Sequence, residues 1–189
     1  MPRSFVKKES ISTLCEEFKK NNHIDPALNE RYNVKRGLRN SDGTGVVAGL
    51  TQICNVHGYV LDEGEKQPVE GELIYRGYNI KELIAGCRRE NRFGYEEVSY
   101  LLLFGSLPTA AQLDFFRMVL AQARSLPQEF VQDMILKAPS KDIMNKLARS
   151  VLALYSYDEF GEEASVEGEI RKAIYIIARM PTMMVNAYQ

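Results

Sequence analysis

Apolar residues recur at helical spacing along most of the chain and at strand-like spacing in one region near the N-terminus. Residues 4–22 place their apolar side chains near one face of a helix, with lysines and glutamates on the other faces. This pattern predicts an amphipathic helix that packs on the protein. Residues 23–40 lack any periodicity and include Pro26, so we expect an extended connector there.

The only strand-like pattern lies in residues 46–75. Short runs of β-branched, aromatic and other apolar residues alternate there with glycines. The segment 62–68, DEGEKQP, is polar and rich in turn-forming residues, as expected of a hairpin tip in solvent. We therefore predict a small element of two or three strands, too small to be a domain by itself.

From residue 80 onward the apolar spacing is helical to the end of the chain. Thr109 and Gln112 have the spacing of a capping box, and Pro127 suits the first turn of a helix. Ser140 is the expected N-cap of the helix that follows it. The predicted helices span residues 80–87, 95–104, 109–124, 127–137 and 141–157. The fold class is thus mainly α, with a small N-terminal β-hairpin element.

The last segment, from Ile170, is apolar on nearly every face, and Pro181 in its middle is expected to end or kink the helix. Neither a C-cap glycine nor a polar tail precedes Gln189. We therefore expect this sequence to be a fragment that continues in a parent protein. The alternative is a C-terminal helix that docks on its own core.

Composition narrows the class of protein. The 189 residues are 45% apolar and 26% charged, which is typical of a globular domain with a real core. A net charge of -1 gives no electrostatic basis for binding nucleic acid or an anionic membrane. Neither a secretory signal nor a run of about 18 apolar residues occurs. We therefore expect a soluble cytoplasmic protein without a membrane span.

The sequence pattern assigns no catalytic or metal-binding residue. Cys15, Cys54 and Cys87 are odd in number and far apart, which favours reduced thiols over a disulfide framework or a zinc site. His23 and His57 have no carboxylate at a spacing that would orient them, so a structural role is favoured for both. No metalloprotease, nucleophile-elbow or Walker motif occurs.

Three further features have both a structural and a functional interpretation. The glycines at 43, 45 and 49 precede strand-like residues instead of opening a helix, which favours turn glycines over a phosphate cradle. Arg76, flanked by Tyr75 and Tyr78, could stack and hold an anion, but bracing of the hairpin against the helices is favoured. The charged residues at 167–172 are expected to be solvated.

Five motifs occur in order along the chain from residue 36. They are RGLRNSDGTGVVAGLTQICNVHGYV (36–60), GELIYRGYNIKELI (71–84), EEVSYLL (96–102), FGSLPT (104–109) and IARMP (177–181). Together they resemble the N-terminal region of citrate synthases. The chain departs from that family's pattern at residues 141–144, where Lys-Asp-Ile-Met replaces a more usual His-Pro-Met, and in the acidic insertion after Leu61.

The resemblance implies the N-terminal part of a citrate synthase large domain over residues 1–189. It divides into an N-terminal helix and connector (1–40), a small β element (41–78) and a helical body (79–189), with the catalytic C-terminal portion absent. The activity implied for the parent is condensation of acetyl-CoA with oxaloacetate to citrate and CoA in the tricarboxylic acid cycle. Acetyl-CoA is then a substrate, and no cofactor is expected.

In that family the two catalytic histidines and the catalytic aspartate lie downstream of the region matched here. The first histidine belongs to a His-Gly-Gly-Ala-Asn type segment, which does not occur in residues 1–189. Because enol formation needs a base and a polarising donor held in register, we expect this chain by itself to be inactive. The family also implies a homodimer, and helices 141–157 and 169–188 look like part of its interface.

Two alternatives stay open. The first is a non-catalytic helical module that binds a partner through its last two helices, since large exposed apolar patches mark a partner. The second lies within the enzyme class, because 2-methylcitrate synthases and citryl-CoA cleaving relatives share the same N-terminal motifs.

Overall fold

A computed structural model describes residues 6–35, 37–40 and 43–188 as a mainly helical chain with one small sheet, which confirms the predicted fold class. The chain forms two compact units. One contains Met1–Glu16 with Thr109–Gln189, and the other is Glu17–Pro108. The elements in chain order are α1 (Lys8–Asn21), α2 (Ala27–Arg31), β1 (Cys54–Asp62), β2 (Glu65–Tyr75), β3 (Tyr78–Asn79), α3 (Ile80–Arg89), α4 (Tyr95–Phe104), α5 (Ala110–Ala123), a π-helical segment (Val131–Leu136), α6 (Ile143–Leu154), a 3₁₀ turn (Tyr155–Tyr157) and α7 (Val166–Tyr188).

The sheet of the second unit is the predicted hairpin with a short third strand. β1 and β2 are antiparallel, and β3 pairs with the end of β2. Glu63 and Gly64 join β1 to β2 with φ angles of +48° and +87°, the left-handed pair of a two-residue hairpin turn. β1 begins at Cys54, so the predicted strand character of residues 46–53 is wrong.

Two helices of this unit, α2 and α3, begin where a local polar side chain accepts from a first-turn amide. Asn79 accepts a hydrogen bond from the Lys81 amide at 2.9 Å and starts α3. The short helix α2 lies in the connector that was predicted to be extended. Asp25 accepts from the Ala27 amide at 2.9 Å, so an Asp-Pro start signal produces a helix too short for apolar periodicity to reveal.

In the other unit, α7 is the central element and packs against α5, α6 and the π-helical segment. A cluster of buried apolar side chains fills the core between α6, the π-helical segment and α7. It consists of Phe130, Ile135, Leu147, Leu154, Met183 and Ala187. α5 contributes the buried side chains Phe116, Val119 and Leu120. The predicted capping box at the start of α5 is confirmed, because Thr109 accepts from the Gln112 amide and Gln112 accepts from the Thr109 amide.

Three helix predictions in this unit need correction. A helix over residues 127–137 was expected, but Glu129 has φ +61° and only Val131–Leu136 is helical, with π geometry. The N-cap of α6 is Asp142, which accepts from the Asn145 amide at 3.0 Å, and not Ser140. α7 does not end at Pro181 but continues to Tyr188.

Candidate functional site

The last turn of α4 is the centre of a polar arrangement in the Glu17–Pro108 unit. A helix leaves its final carbonyls without intrahelical partners. Here the Leu103 carbonyl accepts from Asn22 Nδ2 at 3.0 Å, and the Phe104 carbonyl accepts from Asn21 Nδ2 at 2.8 Å. The Leu102 carbonyl accepts from Arg76 at 3.0 Å (Nη2) and 3.3 Å (Nε). We call this arrangement the Arg76 junction.

The hairpin supplies the guanidinium of the junction through a second tight turn. Arg76 and Gly77 join β2 to β3 with φ angles of +49° and +89°. Two successive residues with left-handed backbone angles form a two-residue hairpin turn, in which glycine is favoured at the second position. The Arg76 side chain reaches the Leu102 carbonyl of α4 and also donates to Asn22 Oδ1 at 2.5 Å, which connects the hairpin, α4 and the residue that follows α1.

Gly105 closes the helix on the other side of the junction. Its φ is +81°, the left-handed conformation common after a helix end, and its amide donates to the Leu101 carbonyl at 2.9 Å. A Cβ at this position would lie 2.6 Å from the Asn21 Cβ. Glycine is therefore required both for the backbone angle and for the approach of α1. The FGSLPT and YRGY motifs are thus two sides of one structural contact.

The charge of Arg76 suits its position, because a cation at a helix C-terminus is stabilised by the helix dipole. Partial burial lowers the pKa of its guanidinium, a direction that leaves the group protonated at neutral pH. The predicted bracing role is confirmed by two hydrogen bonds to Leu102 in α4 and one to Asn22, which directly follows α1. These donors point at protein groups, which argues against the alternative of an anion site.

The two histidines lie apart from the junction. His57 is exposed on β1, and His23 is exposed in the connector after α1. Across residues 6–35, 37–40 and 43–188, no group of three or more His, Cys, Asp or Glu side chains is placed to hold a metal ion. Gly43 has φ +84° and donates to the Asn40 carbonyl at 3.0 Å, which confirms a turn glycine at that position.

Two of the charged residues in the first turns of α7, Arg171 and Lys172, make defined contacts with the preceding loop. Lys172 donates to the carbonyls of Gly161 and Glu163 at 3.2 and 3.0 Å. Arg171 donates to Glu163 Oε2 at 2.7 Å and stacks on Phe160 with its Cζ 4.5 Å from the ring centroid. The prediction of freely solvated charges is therefore wrong for these two cations. Sequence spacing did not reveal this because the acceptors lie in the preceding loop.

Two surfaces of the Met1–Glu16 and Thr109–Gln189 unit are apolar. An open groove of about 790 Å³ lies beside the π-helical segment, lined by residues from Leu126 to Lys137 and by Thr182. On α6, Met144 and Leu152 are 73% and 75% exposed. Within the described part of the chain, no helix is both long enough and apolar enough to cross a membrane.

The sequence and fold of this chain are similar to those of known proteins. Residues 37–189 match the family model described as "Citrate synthase, C-terminal domain". The chain is 35% identical over 137 residues to a citrate synthase of Saccharolobus solfataricus, covering 72% of this chain and 33% of that protein. It is 28% identical over 159 residues to a 2-methylcitrate synthase of Mycobacterium tuberculosis, covering 84% and 35%.

A solved structure shows the same fold. The crystal structure of citrate synthase from Pyrobaculum aerophilum superposes with a TM-score of 0.58 at 29% identity, over 82% of this chain and 39% of that one. The chain thus spans about a third of the length of the curated relatives it matches. On the extent of the family match and the agreement in fold, the chain belongs to the citrate synthase family.

Proposed function

We propose that this chain is an N-terminal portion of a citrate synthase-type acyltransferase that condenses acetyl-CoA with oxaloacetate to citrate and CoA in the tricarboxylic acid cycle. The observation that carries the proposal is the family match over residues 37–189, together with coverage of about a third of the relatives. In this proposal the chain supplies scaffold, and the Arg76 junction stabilises the Glu17–Pro108 unit of that scaffold. The domain division into 1–40, 41–78 and 79–189 is part of the same proposal, as is a cytoplasmic location.

The proposal includes inactivity of the 189-residue chain alone. Claisen-type condensation needs a base at the acetyl methyl group and donors at both carbonyl oxygens. His23 and His57 are both exposed, and neither has an orienting carboxylate among its hydrogen-bond partners in the described residues. CoA release from acetyl-CoA and oxaloacetate, followed with a thiol reagent, is expected to stay at the level of the buffer control. Turnover by this chain would contradict the assignment.

The sequence of the gene tests whether this chain is part of a longer acyltransferase. Its reading frame is expected to continue past the codon for Gln189 and to encode a His-Gly-Gly-Ala-Asn type segment. The longer product should release CoA under the same assay. A stop codon directly after Gln189 in the genome, or a longer product without activity on any acyl-CoA, would refute the proposal.

A 2-methylcitrate synthase is the second candidate within the enzyme class, because relatives of both names match this chain. The two differ by one methyl group on the acyl-CoA, and a pocket discriminates such a difference by about 1–3 kcal/mol. Comparing kcat/KM of the longer product for acetyl-CoA and propionyl-CoA decides between them.

We also propose a homodimer through helices 141–157 and 169–188. Exposed apolar residues on both helices support this: Met144, Leu152 and Tyr155 with the turn after α6, and Met184, Val185 and Tyr188 on α7. Sedimentation of Leu152→Glu is expected to show more monomer than wild type. Phe93→Glu is the matched control, since Phe93 is 89% exposed in the loop before α4. A wild-type chain that stays monomeric at high concentration contradicts this interface.

The same helices would serve a non-catalytic helical module that binds another protein. Association through Leu152, combined with a reading frame that ends at Gln189, would favour that alternative over the enzyme. Association combined with a longer active product favours the acyltransferase.

A further inference from the structure

The two long edges of the hairpin differ in how they are protected. On β2, Lys66, Pro68 and the Glu70–Lys81 ion pair at 2.8 Å are the charged and proline groups that natural sheets use to block strand addition. β1, CNVHGYVLD, has no lysine or proline, and Asp62 at its end is its only charged residue. Among the described strands none pairs with the outer edge of β1, and an open groove follows residues 55–61.

The direction of the backbone groups in the first half of β1 follows from one hydrogen bond. The Arg76 amide donates to the Ile53 carbonyl at 2.9 Å, so the backbone groups of residue 53 point toward the β2 side of the hairpin. Backbone groups alternate along an antiparallel strand, and the register pairs Cys54 with Tyr75 and Val56 with Leu73. The amides and carbonyls of Cys54 and Val56 therefore point to the free edge.

The second half of β1 is oriented by the turn and by Pro68. The two-residue turn at Glu63 and Gly64 makes Asp62 and Glu65 a hydrogen-bonded pair, so Leu61 and Tyr59 face outward. Pro68, opposite Tyr59, has no amide to donate, which agrees with this assignment. The alternation shifts by one residue at the bulge between His57 and Tyr59.

The outward residues are therefore Cys54, Val56, Tyr59 and Leu61, separated by two, three and two positions. This spacing is the same when read in either direction. An antiparallel copy of β1, related by a two-fold axis between residues 57 and 58, thus places Cys54 opposite Leu61 and Val56 opposite Tyr59 in hydrogen-bonded pairs. A regular strand would also match its reversed copy, but about an axis that passes through a residue; the shift between His57 and Tyr59 moves the axis to between residues 57 and 58 and so fixes the register. We propose that β1 is a self-association edge that takes the β1 strand of a second copy of this chain and extends the sheet across a two-fold axis.

Side-chain chemistry agrees with a second copy as the occupant. Side chains alternate together with backbone groups along a strand, and the shift between His57 and Tyr59 applies to both, so the four outward side chains share one face and would lie beside their four equivalents. Val56 is 76% exposed, Tyr59 48% and Leu61 69%, and Cys54 is a free, exposed thiol. In this register Asp62 lies opposite Ile53 of the other copy, at the far end from its own equivalent. The pairing therefore brings apolar side chains together without opposing like charges.

Cysteine cross-linking tests both the edge and the register. Hydrogen-bonded antiparallel pairs have Cα atoms about 5.5 Å apart, a separation that a disulfide spans. In Leu61→Cys, mild oxidation is expected to join residue 61 of one copy to the natural Cys54 of the other and give a covalent dimer on a non-reducing gel. Wild type is expected to give none, because the two Cys54 residues lie at opposite ends of the paired strands.

The controls isolate the register. Leu61→Cys combined with Cys54→Ser removes one partner and should abolish the covalent dimer. Val60→Cys is the matched neighbour, since residue 60 would lie opposite Asn55 on the other face. If a variant at 61 does not fold, as judged by circular dichroism, Val56→Cys with Tyr59→Cys in a Cys54→Ser background tests the inner pairs. Equal cross-linking of the 60 and 61 variants, or none at either pair, would overturn the proposal.

Discussion

Removing the Arg76 side chain should destabilise the Glu17–Pro108 unit more than removing any exposed arginine. Arg76→Ala leaves the Leu102 carbonyl and Asn22 Oδ1 without their shared donor. A hydrogen bond from a charged group contributes about 1.5–3 kcal/mol when it is well shielded. Arg76 is only partly buried, so we discount each of the two acceptors to about 1–1.5 kcal/mol because solvent screens the charge.

The expected loss in the free energy of unfolding is therefore about 2–3 kcal/mol. For a chain of this size that corresponds to a fall in Tm of roughly 5–10 °C. Arg76→Lys keeps the charge but has no planar fork, so it should recover about half of the loss. Arg88→Ala is the control, because Arg88 is exposed at the end of α3, and its effect should stay within about 0.5 kcal/mol.

A double-mutant cycle with Asn22→Ala separates the junction from nonspecific effects of substitution. Asn22 accepts from Arg76 and donates to the Leu103 carbonyl, so the two side chains belong to one network. Residues in one network show coupling energies of about 0.5–3 kcal/mol, measured here by urea unfolding of the two single variants and the double variant. Additive effects, or a loss at Arg76 no larger than at Arg88, would refute the role assigned to the junction.

Substitutions at Gly105, Lys146 and Glu163, with their comparison variants, have defined outcomes. Gly105→Ala should cost about 3 kcal/mol in urea unfolding because of its positive φ and the close contact beyond it, whereas Gly86→Ala, in an open helical position, should stabilise by about 0.5–1 kcal/mol. Lys146 is 5% exposed and donates to the Ala187 carbonyl at 3.1 Å. Lys146→Ala should lower the free energy of unfolding by about 3 kcal/mol, and Lys146→Met by less than half of that because methionine keeps the packing. The pKa of Glu163 is lowered by the adjacent serine hydroxyl and by an arginine, so its contribution is complete above its ordinary value of 4.5 and is lost as the pH falls through the lowered pKa. In acid titrations followed by thermal unfolding, Glu163→Gln should therefore be less stable than wild type at neutral pH and should converge with it in acid.

The sequence predicted well the elements whose signals are local. α4 was placed at its observed bounds, because its apolar run is flanked by two glycines. The capping box of α5 was identified from two residues three positions apart. Such signals depend on neighbours along the chain, and the structure has little freedom to override them.

The predictions failed where distant groups decide the outcome. The π geometry of Val131–Leu136 follows a left-handed Glu129, which no propensity scale anticipates. The partners of Arg76 are 26 and 54 positions away in sequence, so the bracing role could be proposed but its acceptors could not. Asn21 and Asn22 carry no sequence signal of their own, although together they satisfy two of the last carbonyls of α4.

The register shift between His57 and Tyr59 bears on both the sequence prediction and the proposed association. A strand with one face on a core shows its apolar residues at every second position, and sequence reading depends on that period. β1 has apolar residues at 54, 56 and 59–61, so the period of two is interrupted in its middle although the hairpin itself is predicted. At that point one residue of β1 lies opposite three of β2, and the same irregularity sets the spacing of the outward residues. Beyond the short pairing with β3, β1 and β2 form a two-stranded hairpin, and added strands would stabilise that exposed length because two strands alone are at best marginally stable in water. A strand that matches its own reversed copy can obtain that stabilisation from a second molecule of the same chain.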